Sequence, residues 1–374
     1  MPAILFTTLL TLSALYLPQP LLPVLTAEFG ISQETAALLT TVSFVPLSLA
    51  PLFYGALLET ISARRMLRVS VLLLAVTEVL VFITQSFELL ILLRLIQGLL
   101  IPAILTALMT YTSLAAKQGE VERAMSWYIA ATILGGFAGR AFSGLIAGML
   151  HWRFSFLLLG ASLLAAWWWL GRIPDAGKVK SAKVRFSLIL SLLKQPVART
   201  VYLMVFCFFL VFAAMMNYLP FRLTELSPGV DEFRIGMAYS GYLMGIVASL
   251  NAVRIQRYCG GAAPTMVVGL ALFVVALAVM LPPSLYALLG GMFLLCGASF
   301  LTHATATGFL NRHLDSHHGT VNGLYVSFYY GGGAIGSWLP GYLYHDFGWS
   351  GFMLALIGVV LTALMLAVTL LRRC

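Results

Sequence analysis

The chain has 374 residues, of which 61% are hydrophobic and 9% charged, where a soluble domain carries about 25% charged residues. No aqueous fold of this length hides so much apolar side chain, so the solvent is lipid and water-soluble classes are excluded. The net charge of +9 comes from basic residues in short gaps between apolar runs, a topology signal and not a nucleic-acid-binding face.

In chain order, the first apolar run lacks a basic flank and a small-residue cleavage pattern, so it reads as a retained span. Segments of the roughly 20 residues that a span needs fall at 3–26, 35–58, 66–85, 88–114, 122–149, 152–171, 197–221, 234–253, 263–281, 284–310, 320–344 and 350–371, twelve in all. The polar stretch 172–196 contains Pro174, Asp175, Gly177 and a run of lysines. It reads as a linker carrying a short amphipathic helix at the membrane surface. This divides the chain into an N-terminal six-helix bundle, 1–171, and a C-terminal one, 197–374. Trp167, Trp168 and Trp169 precede the linker and read as an interfacial aromatic belt. Cys207, Cys259, Cys296 and Cys374 show no CxxC spacing and read as free thiols.

Charge orients the spans. The gaps after odd-numbered spans hold Arg153, Arg222 and Arg234, whereas the even gaps and the C-terminal tail hold seventeen basic residues, Arg64, Arg65 and Arg68 the first among them. That bias places the even gaps, the linker and both termini in the cytoplasm.

The chain also repeats itself. An offset of 197 aligns Gly135, Gly139 and Gly144 with Gly332, Gly336 and Gly341. It likewise aligns Tyr128 with Tyr325, Trp152 with Trp349, and Leu22-Pro23 with Leu219-Pro220. Two homologous halves in a membrane point to a transporter with its binding site between them.

Three local patterns carry a resemblance to a known family. Gly55-Ala56-Leu57-Leu58-Glu59-Thr60-Ile61-Ser62-Ala63-Arg64-Arg65 follows span 2, Arg94-Leu95-Ile96-Gln97-Gly98 lies in span 4, and the glycine phrase beginning at Gly135 lies in span 5. They resemble the loop signature, the intramembrane arginine motif and the antiporter signature of the major facilitator superfamily. Glu59 stands where that loop usually has aspartate, Ser62 where it has a second glycine, and Arg140 where the antiporter signature has proline. Residues 16–23 and 323–330 look most like the YnfM-type branch of bacterial drug-efflux-like carriers. The resemblance implies an all-α membrane protein, with twelve transmembrane helices in two pseudo-symmetric six-helix bundles. It implies a multi-pass carrier of the bacterial cytoplasmic (inner) membrane that works by alternating access. The implied partners are a small-molecule substrate, protons and membrane lipids, with no nucleic acid and no cofactor, and the working unit is a monomer.

The candidate chemistry lies inside the membrane. Glu78 in span 3, Arg94 in span 4 and Arg140 in span 5 are the strongly charged residues of the apolar runs, and each costs about 3 kcal/mol or more unless paired or hydrated. Glu78 and Arg94 lie in adjacent antiparallel spans, at depths of roughly 10 Å. They read either as a structural ion pair or as a proton site tuned by the arginine. Arg140 faces water, backbone carbonyls or an anionic substrate group. Gln19, Asn217, His303 and Tyr325 are candidate polar partners. Two buried arginines against one acid favour an anionic, zwitterionic or neutral polar substrate over a lipophilic cation.

Glu59, with Gly55, Arg64 and Gly98, reads as the gate and loop motif, Glu59 lying near Thr320. The glycine pairs Gly135/Gly139 and Gly332/Gly336 read as close-approach sites, either for spans 5 and 11 to slide against the opposite half or for static helix packing. His313, Asp315, His317 and His318 read as a solvated turn and not a metal site. No nucleophile elbow, zinc motif or phosphate loop is present, which disfavours an enzyme. The reading is proton-coupled export of a small organic compound; the alternative is proton-coupled uptake of an organic anion or metabolite.

Overall fold

The computed structural model describes residues 1–116, 120–175, 177, 186–314 and 318–372, the backbone alone for Leu52, Gly55, Ala56, Glu59, Glu122, Phe186 and His318. Every regular element among them is helical. In lipid that follows from backbone satisfaction, since a helix pairs all its own N–H and C=O groups.

Among the described residues there are sixteen α-helices, fifteen in the twelve spans and one in the linker. Span 1 is α1 (Pro2–Tyr16) and α2 (Leu22–Phe29), joined by a 3-10 turn at Gln19–Leu21. Span 2 is α3 (Gln33–Leu49) and α4 (Tyr54–Thr60), with another turn at Ala50–Leu52. Spans 3 to 6 are α5 (Ala63–Ile83), α6 (Phe87–Ala115), α7 (Val121–Met149) and α8 (Trp152–Leu170). The linker carries α9 (Phe186–Lys194), and span 7 is α10 (Pro196–Leu226). Span 8 is α11 (Glu232–Ala238) and α12 (Tyr242–Tyr258); spans 9 and 10 are α13 (Ala262–Val279) and α14 (Leu285–His313). Spans 11 and 12 occupy α15 (His318–Trp338) and α16 (Pro340–Leu371), α16 containing a non-helical Gly348 at φ 64°. The boundary between spans 11 and 12 expected at 345–349 is therefore one glycine, whose left-handed φ turns the chain without a loop.

Among the described residues, nine helical stretches, span 1 with its 3-10 turn among them, are long and apolar enough to cross a membrane. Spans 2, 8 and 11 complete the twelve; spans 2 and 8 are interrupted by 3-10 turns and span 11 is broken near Pro340.

The chain forms two compact units. The first comprises Met1–Ile31, Val42–Lys183 and Asp231–Met237; the second comprises Ser32–Thr41, Val184–Val230 and Ala238–Cys374. In the first, α1 packs on α7, and α5 packs on α6 and α8. In the second, α10 packs on α15 and α16, and α14 on α12 and α13.

The internal repeat reappears as packing. A Cβ on Gly135 would lie 2.5 Å from the Leu9 carbonyl oxygen, and one on Gly139 would lie 2.5 Å from Ser13 Cα. In the second unit, Gly332 meets Phe206 and Gly336 meets Leu210 in the same way. Leu9 and Phe206, like Ser13 and Leu210, are separated by the offset that separates the glycines. All four glycines thus meet the first span of their own half. These contacts lie within each half and match the packing reading: the missing Cβ lets α1 and α7, and α10 and α15, touch backbone to backbone. Gly98 plays the same part between α6 and α3, where a Cβ would lie 2.7 Å from Ser43 Cα.

Candidate functional site

The first unit's polar cluster begins with prolines. Pro18 has no N–H, so it cannot bond the carbonyl of Ala14, and its ring opposes helix at that point. Span 1 breaks at Leu17–Pro20 and releases the carbonyls of Ala14 and Leu15. Arg94 reaches from α6 and donates to both, at 3.0 and 2.8 Å. Its Nη1 also donates to Gln97 Oε1 at 2.7 Å. Arg94 is 1% exposed, so it caps a broken helix inside the protein, where unsatisfied carbonyls are costly.

The same break aims Gln19 at α7. Arg140 Nε donates to Gln19 Oε1 at 2.7 Å, and Nη1 donates to the Gly136 carbonyl one turn earlier. The guanidinium carbon lies 4.2 Å from the centre of the Tyr16 ring, close enough for cation–π attraction. Arg140 is fully buried and Gln19 is 1% exposed. These three partners are neutral, so they hold the guanidinium without cancelling its charge.

Glu78 sits elsewhere in the unit. It is fully buried on α5, where it packs against α8: a Cβ on Gly160 would lie 3.3 Å from Glu78 Cβ. Neither carboxylate oxygen has a hydrogen-bond partner among the described residues. Arg94 acts on it electrostatically, while the Arg94 donors described above bind carbonyls and Gln97. Proximity of the two charges was legible from their depths; the carbonyl partners of Arg94 were not.

The second unit contributes an aromatic cluster. Tyr325 on α15 shares a hydrogen bond with His303 Nδ1 on α14 at 2.9 Å. The Tyr329 ring lies 4.9 Å from His303 and stacks on Phe209 at 3.5 Å. In the first unit the repeat partner of Tyr325, Tyr128, donates to the Leu105 carbonyl at 3.3 Å. One fold position thus serves two ends, a backbone anchor in one copy and a histidine partner in the other. Asn217 donates to the Ser337 carbonyl at 3.0 Å and to the Ala37 carbonyl at 3.5 Å, so its amide ties α10 to α15. Tyr239 donates to the Met216 carbonyl at 2.7 Å, the carbonyl that Pro220 cannot bond.

The gate motif is described in part. Arg64 donates to the Gly171 carbonyl, whereas the side chains at Gly55 and Glu59 lie outside the described residues. So do Asp315, His317 and the His318 side chain; His313 Nδ1 bonds the Phe309 carbonyl at 3.0 Å. Among the described residues no three His, Cys, Asp or Glu side chains gather into a metal site. Among the described residues, no disulfide joins Cys207, Cys259 or Cys296. Tyr16, Phe209, Tyr239 and Tyr329 were not singled out from the sequence as site residues, because aromatic residues in apolar spans carry no mark of their neighbours.

The sequence matches the profile of the Major Facilitator Superfamily over residues 4–257 and 225–373. It is 27% identical over 372 residues to the inner membrane transport protein YnfM of Escherichia coli, covering 98% of this chain and 88% of that protein. Against the uncharacterized MFS-type transporter YybF of Bacillus subtilis it is 26% identical over 369 residues, covering 96% and 89%. The fold resembles a bacterial homolog of the human lysosomal transporter Spinster, in an inward-facing and occupied conformation. The TM-score is 0.84 at 14% identity, with 99% of this chain and 96% of that one covered. It also resembles the nucleoside transporter NupG, with a TM-score of 0.80 at 13% identity and coverage of 98% and 99%.

Proposed function

This chain belongs to the major facilitator superfamily of membrane transporters, and we propose that it works by alternating access as a proton-coupled exporter of a small organic compound. The two six-span halves, 1–171 and 197–374, rock about the linker 172–196 and expose the site to each side in turn. The inner membrane of a bacterium is its site of action, by analogy with YnfM.

The observation that carries the reading is the broken first span. Its break presents Gln19 and Tyr16 to Arg140, and discontinuous helices of this kind build transporter sites near the bilayer midplane. A guanidinium held in low dielectric attracts an anionic group strongly. Among the described residues, the buried charged side chains of the first unit are Arg94, Arg140 and Glu78, a positive balance there, while Glu34 of span 2 is a buried acid in the second unit. That positive balance favours anionic, zwitterionic or neutral polar substrates over lipophilic cations. Gln19 and Tyr16 supply hydrogen-bonding and stacking surface, and His303, Tyr325 and Tyr329 supply such surface within the C-terminal half. Glu78, buried without a hydrogen-bond partner among the described residues, is the proton carrier.

Flux through proteoliposomes under an imposed proton gradient, over a panel of organic anions, zwitterions and cations, tests the whole reading. Saturable, gradient-driven flux with counter-exchange of an anion or zwitterion is the expected result. Flux against the direction of proton entry identifies an exporter, and flux with it identifies uptake. Linear flux without counter-exchange, or preference for lipophilic cations, overturns the proposal.

A further inference from the structure

A second charged site lies in the first unit, apart from the polar cluster. Helix α5 begins at Ala63 with Ser62 as its cap, and α8 ends at Leu170 beside it. Between these ends lies a cavity of about 340 Å³ lined by Arg64, Arg65, Arg68, Val69, Leu72, Trp167 and Asp175. Among the described residues, three arginines and one acid line it. The acid is occupied: Asp175 accepts from Ser62 Oγ at 2.9 Å and from the Gly177 N–H at 3.0 Å. Of the arginines, Arg64 spends one donor, Nη2, on the Gly171 carbonyl, and others remain. Arg64 Nε and Arg68 Nε are buried without a hydrogen-bond partner among the described residues, and no ion pair to Arg64, Arg65 or Arg68 is found among them. Arg68 lies 5.3 Å from the Trp167 ring centre, which holds its guanidinium at the cavity wall.

An apolar track leads away from this pocket. Val69, Leu73, Val76, Leu80 and Ile83 are exposed along α5, from 39% to 64%, at the three- and four-residue spacing of a single helix face. A basic head site continuous with an apolar ridge fits an amphiphile aligned with the bilayer normal. The arginines are also not required by the fold, because the repeat places Gly261, Ala262 and Thr265 at the corresponding positions of the second half.

We infer that Arg64, Arg65, Arg68 and Trp167 form a specific binding site for the phosphodiester headgroup of an anionic phospholipid, whose acyl chain lies on the Val69–Ile83 face of α5. Basic pockets between membrane helices bind such headgroups through charge and forked hydrogen bonding. A free phosphate shares the head chemistry but gains nothing from the apolar track.

Native mass spectrometry of the detergent-purified full chain, titrated with phosphatidylglycerol, phosphatidylcholine or inorganic phosphate, tests this. One tightly retained phosphatidylglycerol per chain is expected, with phosphatidylcholine held at least about five-fold more weakly. Arg65→Gln and Arg68→Gln should each weaken phosphatidylglycerol about five-fold, as a loss of about 1 kcal/mol per basic side chain. Arg123→Gln, an exposed basic residue outside the pocket, should change it by less than about two-fold. Arg65 is exposed, so its variant folds and keeps the test open even if Arg68→Gln does not. Equal retention of both lipids, unchanged binding in Arg65→Gln, or equal loss in Arg123→Gln overturns the site. Displacement of the lipid by millimolar phosphate overturns the lipid as its occupant.

Discussion

Replacing Gly139 with alanine tests the link between helix packing and the polar cluster. The new Cβ would stand 2.5 Å from Ser13 Cα and 2.6 Å from the Ser13 carbonyl oxygen, whereas carbon atoms settle at about 3.5–4.0 Å. Both neighbours are backbone, so no side chain can swing aside and α1 must move from α7 by about 1 Å to restore ordinary contact. Overpacking of this kind costs on the order of 1–3 kcal/mol. The displacement also reaches the adjacent residue. Arg140 Nε and Gln19 Oε1 are 2.7 Å apart, and a 1 Å shift takes them past about 3.5 Å, where the hydrogen bond is lost. The Ser13 bond to the Gly135 carbonyl, at 3.1 Å, lengthens with it. Gly139→Ala should therefore melt below the wild type in a nanodisc, followed by tryptophan fluorescence, and should lose transport in proteoliposomes. Gly358 is the control: nothing lies within 4 Å of its Cβ position, so alanine there gains up to about 1 kcal/mol of helix propensity. A Gly139→Ala protein that melts and transports like the wild type, beside a Gly358→Ala protein no more stable, would refute the backbone-contact argument.

Arg140→Ala should abolish flux of an anionic substrate, while Arg140→Lys should restore part of it if a point charge suffices and little if the planar fork to Gln19 is needed; wild-type flux in Arg140→Ala removes this residue from the site. Glu78→Gln keeps the shape that fits against Gly160 and removes the proton site, so counter-exchange should survive and gradient-driven flux should vanish; normal gradient-driven flux rejects Glu78 as the carrier. Tyr325→Phe deletes the hydrogen bond to His303 at 2.9 Å and should cost about 0.5–1.5 kcal/mol in stability, read as a lower melting midpoint that His303→Gln does not lower additively. In a background lacking the natural cysteines, Lys194→Cys should resist an impermeant thiol reagent applied outside cells and Ser32→Cys should react; the reverse pattern inverts the assigned topology.

The fold was legible because lipid narrows the choices. Apolar runs of span length, basic gaps and a glycine phrase repeated at one offset are one-dimensional signals, and each follows from a local cost: burying charge, exposing backbone or crowding a helix contact. The halves' equivalence is written in Gly135 and Gly332 themselves, and the structure shows them touching Leu9 and Phe206, themselves one repeat apart. The charged residues of the candidate site were equally visible, since Glu78, Arg94 and Arg140 interrupt apolar segments. Their partners were not. Arg94 meets the carbonyl of Ala14, 80 positions away, and Arg140 meets Gln19, 121 positions away. An arginine's depth can be counted along its helix, but the direction it faces depends on how α1 breaks at Pro18 and how closely α7 approaches through Gly139. For the same reason the pocket of Arg64, Arg65 and Arg68 reads in the sequence only as a topology signal. It becomes a site when α8 brings Trp167 and Gly171 beside it, because packing between helices, and not spacing along one, decides which charges share a cavity.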